Sequence, residues 1–221
     1  LGCEHAFGIV AIPGLIVSIL FLFVRDYKTV DLSFVDKYRN VVKMERKDII
    51  KEFLSRPSVL FTYFGMACVV FVTTSMLTWL PTYFEKVRQI PQEKAGQMAS
   101  SVMLLAIIGA PLGGHLTDLW RKSRTNARLL YPALSTLLSA ITLFIALALL
   151  KGPFQYIVLL VFGILILSFV SGAAAVTQDV IHPGLRATSY AVAVAVQNLL
   201  GSFTAPIILG KISDLTNIKA A

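Results

Sequence analysis

Ala110-Pro111-Leu112-Gly113-Gly114-His115-Leu116-Thr117-Asp118 closes one long apolar run, and Ala205-Pro206-Ile207-Ile208-Leu209-Gly210-Lys211-Ile212-Ser213-Asp214 closes another. Both read A-P, a short apolar step, then G-x-L/I-S/T-D. What the echo means depends on the runs around it. Apolar stretches fall at 6–24, 58–84, 97–118, 129–150, 154–178 and 187–210, each close to the length needed to cross a hydrocarbon core of about 30 Å as a helix. Helices satisfy their own backbone groups in lipid, so the sequence predicts an all-α, polytopic membrane bundle. Composition agrees: 56% of residues are hydrophobic and 14% charged, and the mean hydropathy is +0.75, far from the balance of a water-soluble domain. The first run has neither a basic flank before it nor a small-residue cleavage site after it, so it does not read as a signal peptide.

The net charge of +8 would suit a nucleic-acid binder, but its placement says otherwise. Residues 25–57 carry Arg25, Lys28, Lys37, Arg39, Lys43, Arg46, Lys47, Lys51 and Arg56, and the connection after the third run carries Arg121, Lys122, Arg124 and Arg128. With Arg186 these make fourteen of the twenty basic residues, against six in the alternate connections and the tail. Residues 25–57 and 119–128 are therefore expected to be cytoplasmic, and no nucleic-acid partner is expected.

That sidedness gives the echo its meaning. The copy ending at Asp118 falls at the cytoplasmic face and the copy ending at Asp214 at the opposite face, three helices later, as an inverted three-helix repeat produces. Runs two to four then form one triplet, and runs five and six are two-thirds of another. The chain opens on Leu1 and reads as a fragment, with a further helix expected after residue 221. The expected organisation is 1–24 as the last helix of an N-terminal six-helix unit, 25–57 as a cytoplasmic linker, and 58–221 as a C-terminal unit lacking its final helix. Within the linker, Ile49, Ile50, Phe53 and Leu54 share one helical face, an amphipathic segment suited to the membrane interface. Cys3 and Cys68 have no metal-type spacing, and no metal or cofactor is expected.

Gly114-x-x-x-Asp118, followed by Arg121 and Lys122, resembles the G-x-x-x-D-R/K-x-G-R/K-R/K loop of the major facilitator superfamily, although Leu119 and Trp120 depart from it. Leu1-Gly2-Cys3-Glu4-His5-Ala6-Phe7-Gly8-Ile9 resembles the G-W-R-W-x-F-x-I entry to that family's sixth helix, with Cys-Glu-His as the departure. His182-Pro183-Gly184-Leu185-Arg186-Ala187-Thr188 resembles the P-x-x-R-A-T turn before its eleventh helix, as in Spinster-like and organic-anion branches. The resemblance implies a partial major-facilitator fold, helices six to eleven of twelve, in a bacterial inner (plasma) membrane. It also implies a conformational latch of Gly114, Asp118, Arg121, Lys122 and Arg186, in which Asp118 meets a helix N-terminus of the other half or pairs with Arg121. A plainer reading has Asp118 ending a helix and Arg186 anchoring an interface.

Polar residues within spans are costly against lipid and so are candidates for a solute path. Thr73, Thr74, Trp79, Tyr83, Gln178, Gln197 and Asn198 are the expected substrate-binding residues, with the Gln197–Asn198 pair foremost. An amide pair at the midplane can bind polar solute groups, or it can hydrogen-bond a neighbouring helix. Gly109, Gly113, Gly114, Gly172 and Ala173–Ala175 read as close-packing positions. No Asp, Glu, Lys or Arg falls in the middle of a span, so coupling groups are expected in the missing N-terminal half.

No intramembrane H-E-x-x-H, G-x-S-x-G or paired Asp is present, so no catalytic residue and no enzyme activity are expected. The function expected is secondary active transport of a small organic solute by alternating access, and the resemblance implies an organic anion or an amphipathic lipid-like molecule as that solute. The partners are that solute, the bilayer and the N-terminal half. A membrane channel or a scaffold protein is the alternative.

Overall fold

The structure, a computed structural model, describes residues 3–23, 33–35, 41–43 and 45–215, with side chains at 12–23 and 45–213. The basic residues Arg25, Lys28, Lys37 and Arg39, the side chains of the opening Leu1–Ile9 segment and that of Asp214 lie outside the described residues. The chain divides into two units, Leu1–Asp31 and Leu32–Ala221.

The first unit holds α1, Cys3–Phe21. Its nineteen residues extend about 28 Å at 1.5 Å per residue. Ser18 is its one polar side chain between residues 12 and 21 and donates to the Gly14 carbonyl at 2.8 Å, a way for a hydroxyl to be satisfied without leaving the helix.

The second unit opens with a hairpin of two three-residue strands, β1 (Ser33–Val35) and β2 (Val41–Lys43), paired antiparallel with Phe34 opposite Val42. This element departs from the otherwise helical plan and was not expected. Next comes α2, Arg46–Leu54, where the expected amphipathic helix lies. The Asp48 carboxylate accepts from the Glu45 backbone N–H at 3.1 Å and fixes the start. Its apolar face is shared: Ile49 and Phe53 pack against the bundle, while Ile50 and Leu54 are 58% and 63% exposed.

Five helices long and apolar enough to cross a membrane follow. They are α3 (Pro57–Lys86), α4 (Gln92–Arg121), α5 (Ala127–Phe144, prolonged by a π-helical turn Ile145–Leu149), α6 (Pro153–Asp179), and a fifth made of α7 (Arg186–Gln197), a π-helical turn Asn198–Ser202 and α8 (Thr204–Leu215). Pro57 and Pro153 each stand in a first turn, where a missing N–H costs nothing. Phe61 (77%), Phe64 (63%), Leu104 (62%), Ile107 (64%) and Phe144 (65%) are exposed. Such contiguous apolar surface suits a lipid environment rather than water.

The helices are drawn together by small residues. A Cβ added at Gly109 would lie 2.0 Å from the Ile164 carbonyl oxygen, one at Gly113 2.1 Å from that of Ser168, and one at Gly163 2.3 Å from that of Val102. Backbones of α4 and α6 therefore touch, and no larger side chain fits between them. Gly201, inside the π turn, approaches α3 similarly: an added Cβ would lie 2.7 Å from the Ala67 carbonyl oxygen. Thus the second helix of each triplet packs on the first helix of the other, α4 on α6 and α7–α8 on α3. The glycines read as packing positions at 109, 113 and 172 do pack closely, whereas a Cβ added at Gly114 would lie 3.5 Å from Ser171, an ordinary contact distance.

Candidate functional site

Most hydroxyls in the spans are used locally. Thr73 Oγ1 donates to the Val69 carbonyl, Ser75 Oγ to that of Phe71 and Thr78 Oγ1 to that of Thr74, all at 2.7–2.8 Å. Donation four residues back leaves the oxygen lone pairs as the available groups. Thr74 is half-buried beside them.

The Gln197–Asn198 pair sits where α7 gives way to the π turn. Asn198 Nδ2 donates to the Val194 carbonyl at 2.8 Å, and its Oδ1 accepts from Ser202 Oγ at 3.2 Å. Asn198 is exposed on the bundle surface and Gln197 is half-buried. A π turn shifts the backbone hydrogen-bond register and so re-aims neighbouring side chains, a feature frequent at functional sites. Here it coincides with a close approach of this helix to α3, at Gly201.

The other expected substrate residues stand elsewhere. Tyr83 is sixteen residues beyond Ala67 on α3, about 24 Å along the axis. Its hydroxyl accepts from Gln155 Nε2 at 2.9 Å, and its ring lies 5.5 Å from the Arg88 guanidinium carbon. Trp79 lies toward the same end and its Nε1 is buried without a partner. Gln178 is at the last turn of α6, at the opposite end of the bundle from Tyr83. The seven residues therefore occupy three levels: Thr73, Thr74, Gln197 and Asn198 in the middle, Trp79 and Tyr83 toward one end, Gln178 at the other.

A charged cluster missed in the sequence lies beside Gln178. Arg128, in the first turn of α5, contacts Asp179 at the end of α6 through Nη1 and Asp118 at the end of α4 through Nη2, the latter at 3.7 Å. One guanidinium thus joins three helix ends. Each charge sits at the unfavourable pole of its own helix: the cation at a positive N-terminus, the carboxylates at negative C-termini. Their mutual attraction is what offsets that placement. The Asp179 charge in a last turn, where the dipole disfavours it, was the available sequence signal. Of the expected latch residues, Asp118 belongs to this cluster and its cation is Arg128. Arg121, Lys122 and Arg186 are exposed, and Gly114 packs beside Ser171.

At the same end, a buried hydrogen-bond chain ties α3, α7 and α6. Tyr63 Oη meets Ser189 Oγ at 2.7 Å, and Ser189 Oγ donates to the Thr177 carbonyl at 2.5 Å. Ser189 and Thr177 are fully buried, so losing one hydroxyl would strand a polar partner away from water.

Comparison with known proteins agrees with this architecture. The family model described as Major Facilitator Superfamily matches residues 1–206. Protein spinster homolog 1 of Xenopus laevis is 25% identical over 215 residues, 91% of this chain and 41% of that relative. The protein named "Probable galactarate/D-glucarate transporter GarP" of Escherichia coli (strain K12) is 28% identical over 161 residues, 63% of this chain and 36% of the relative. The crystal structure of a bacterial homologue of the human lysosomal transporter Spinster, in an inward-facing and unoccupied conformation, superposes with a TM-score of 0.67 at 20% identity, covering 95% of this chain and 44% of that one. The chain spans less than half the length of each of these relatives. Matched along nearly its whole length and built of glycine-packed apolar helices that fit a membrane, the chain belongs to the major facilitator superfamily.

Proposed function

We propose that this chain forms most of the C-terminal half of a secondary active transporter that moves a small organic solute by alternating access. The observation that carries the reading is the reciprocal packing of the two triplets, α4 on α6 and α7–α8 on α3, which makes a unit able to rock as a body. Residues 1–24 would close the N-terminal six-helix unit, 25–57 would link the halves, and 58–221 would form the C-terminal unit without its last helix. The basic connections 25–57 and 119–128 would face the cytoplasm, in a bacterial inner membrane.

Thr73, Thr74, Gln197 and Asn198 would line the solute path, since they share the middle level and the π turn. The names of the relatives point to sugar diacids on one side and to Spinster-type solutes on the other. An organic anion is the solute class favoured here, with amides and hydroxyls of this half binding its polar groups. The cation that balances it, and any proton-coupling carboxylate, would come from the N-terminal half, because no charged side chain lies mid-span in this one. Asp118, Arg128 and Asp179 would act as a latch: a guanidinium shared by two partly exposed carboxylates holds weakly enough to open.

The test is uptake by proteoliposomes holding the full-length parent protein, screened with D-glucarate and with a lysophospholipid. Saturable uptake of one of them, lost in the Gln197→Ala/Asn198→Ala double variant and changed in rate by Asp118→Asn, is the expected result. Flux that never saturates would point to a channel, and no flux of either solute with the protein correctly folded would remove this reading.

A further inference from the structure

At the end of the bundle away from Arg128, two connections come together. α3 ends at Lys86 and the chain turns through Gln89, at φ 55, into α4, while α5 leaves its π turn and passes Gly152, at φ 71, into α6. Between them lies a cavity of about 620 Å³, walled by Phe84, Ile90 and Met98 on its apolar side and by Arg88, Gln155 and Tyr156 on its polar side. Among the lining residues Arg88 carries the only charge.

Arg88 is held in place but not neutralised. Its Nη2 donates to the Leu150 carbonyl at 3.2 Å, and the face of Tyr83 lies 5.5 Å from its Cζ. Tyr83 is fixed in turn by Gln155, whose Nε2 also donates to the Ala146 carbonyl at 2.8 Å. The Arg88 Nε is buried and has no partner, and among the described residues no carboxylate lies within ion-pair distance of the guanidinium. A partly buried cation with no counter-charge is costly, and an anion in the cavity against the guanidinium relieves that charge. The first turn of α6, whose start at Gly152 has no side chain to cap it, borders the same cavity. Lys86, Lys94 and Lys151 outnumber Glu85 and Glu93 on the surrounding surface, which adds a positive field.

We propose that this cavity is an anion site, distinct from the mid-span solute path, that takes an organic monoanion. A carboxylate or phosphate ester head lies on Arg88, and a compact apolar body lies against Phe84, Ile90 and Met98. A dissolved organic acid and an anionic lipid headgroup share that chemistry. The site stands whether or not the protein transports its solute as proposed above, so its test reads binding rather than uptake.

The experiment measures equilibrium binding of radiolabelled benzoate to the full-length parent protein in phosphatidylcholine nanodiscs. Saturable binding is expected, weakened about tenfold or more by Arg88→Gln. Met98→Trp, which fills the cavity and keeps the guanidinium, abolishes it. Lys151→Gln, an exposed charge outside the lining, changes it by less than about twofold. Adding phosphatidylglycerol to the discs then identifies the source: competition with benzoate supports the site with lipid headgroups as occupants, and no competition supports it with a dissolved acid. Binding that does not saturate, or Arg88→Gln and Met98→Trp variants that elute as folded protein and bind like the parent, would overturn the proposal.

Discussion

The two seams that join the triplets are alike in plan and different in substance. Along α4 and α6 three glycines from both helices let backbones meet, at Gly109, Gly113 and Gly163. Along α3 and α7–α8 a single glycine, Gly201, does so, and there the helix itself is re-registered by a π turn bearing Asn198 and Ser202. Two close backbones with no side chain between them have one good arrangement. A seam of one glycine and one irregular turn has backbone hydrogen bonds to rearrange and can accept more than one. The first seam is therefore the more tightly fixed of the two, and the second is the more adaptable.

Substitutions at the two seams should differ in cost. The largest effect is expected at Gly113→Ala, because the new Cβ would meet the Ser168 carbonyl of a helix with no room to retreat. The melting temperature of detergent-solubilised protein should fall by the equivalent of about 1–3 kcal/mol. Gly210→Ala, with nothing within 4 Å, should be neutral or stabilising by up to about 1 kcal/mol. Gly201→Ala should cost less than Gly113→Ala, since the π turn can shift to admit a methyl group; equal losses would remove the distinction between the seams.

Smaller effects are expected at the polar ties. Arg128→Gln leaves Asp118 and Asp179 each at a helix C-terminus without their cation, and a loss of about 1–2 kcal/mol is expected in the same melt. Ser189→Ala removes the link between Tyr63 and the Thr177 carbonyl and should cost about 1 kcal/mol. Tyr63→Phe in the same background should cost about a further 0.5–1 kcal/mol, because the Tyr63 hydroxyl also donates to the Ser189 backbone carbonyl at 3.0 Å, a bond that Ser189→Ala leaves in place. The smallest stability change belongs to Asp118→Asn, at under about 1 kcal/mol, because that carboxylate is 69% exposed and 3.7 Å from its partner. Its effect should be on transport rate.

Much of this fold was legible because hydropathy sets span positions and small residues set helix approach. The run at 97–118 became α4, which starts earlier at Gln92, because a helix continues past the hydrocarbon edge into polar residues such as Glu93 and Lys94. The run at 187–210 became α7–α8 in the same way. The π turns were not legible: Ile145–Leu149 has ordinary helix-forming composition, and although Asn198, Gly201 and Ser202 are weak helix formers, the extra residue per turn depends on neighbours. The site was less legible than the fold. The sequence grouped Tyr83, toward the outer end of its span, with Asn198 as substrate residues, and only the geometry pairs Tyr83 with Gln155 and Arg88. For Asp118 it offered a helix N-terminus of the other half or the nearby Arg121, whereas α5 delivers Arg128 from ten residues away. Contacts that depend on which helices are neighbours cannot be read from the periodicity of any one helix.

The most direct test of alternating access at the adaptable seam is the sidedness of labelling at Asn198. In a full-length Asn198→Cys protein with Cys3 and Cys68 replaced by Ser, a membrane-impermeant maleimide is applied from each side of oriented vesicles, with and without a solute found to be taken up. Alternating access requires that the solute change the ratio of labelling from the two sides, as for a site opened to one face at a time. Equal labelling from both sides, indifferent to the solute, would contradict it.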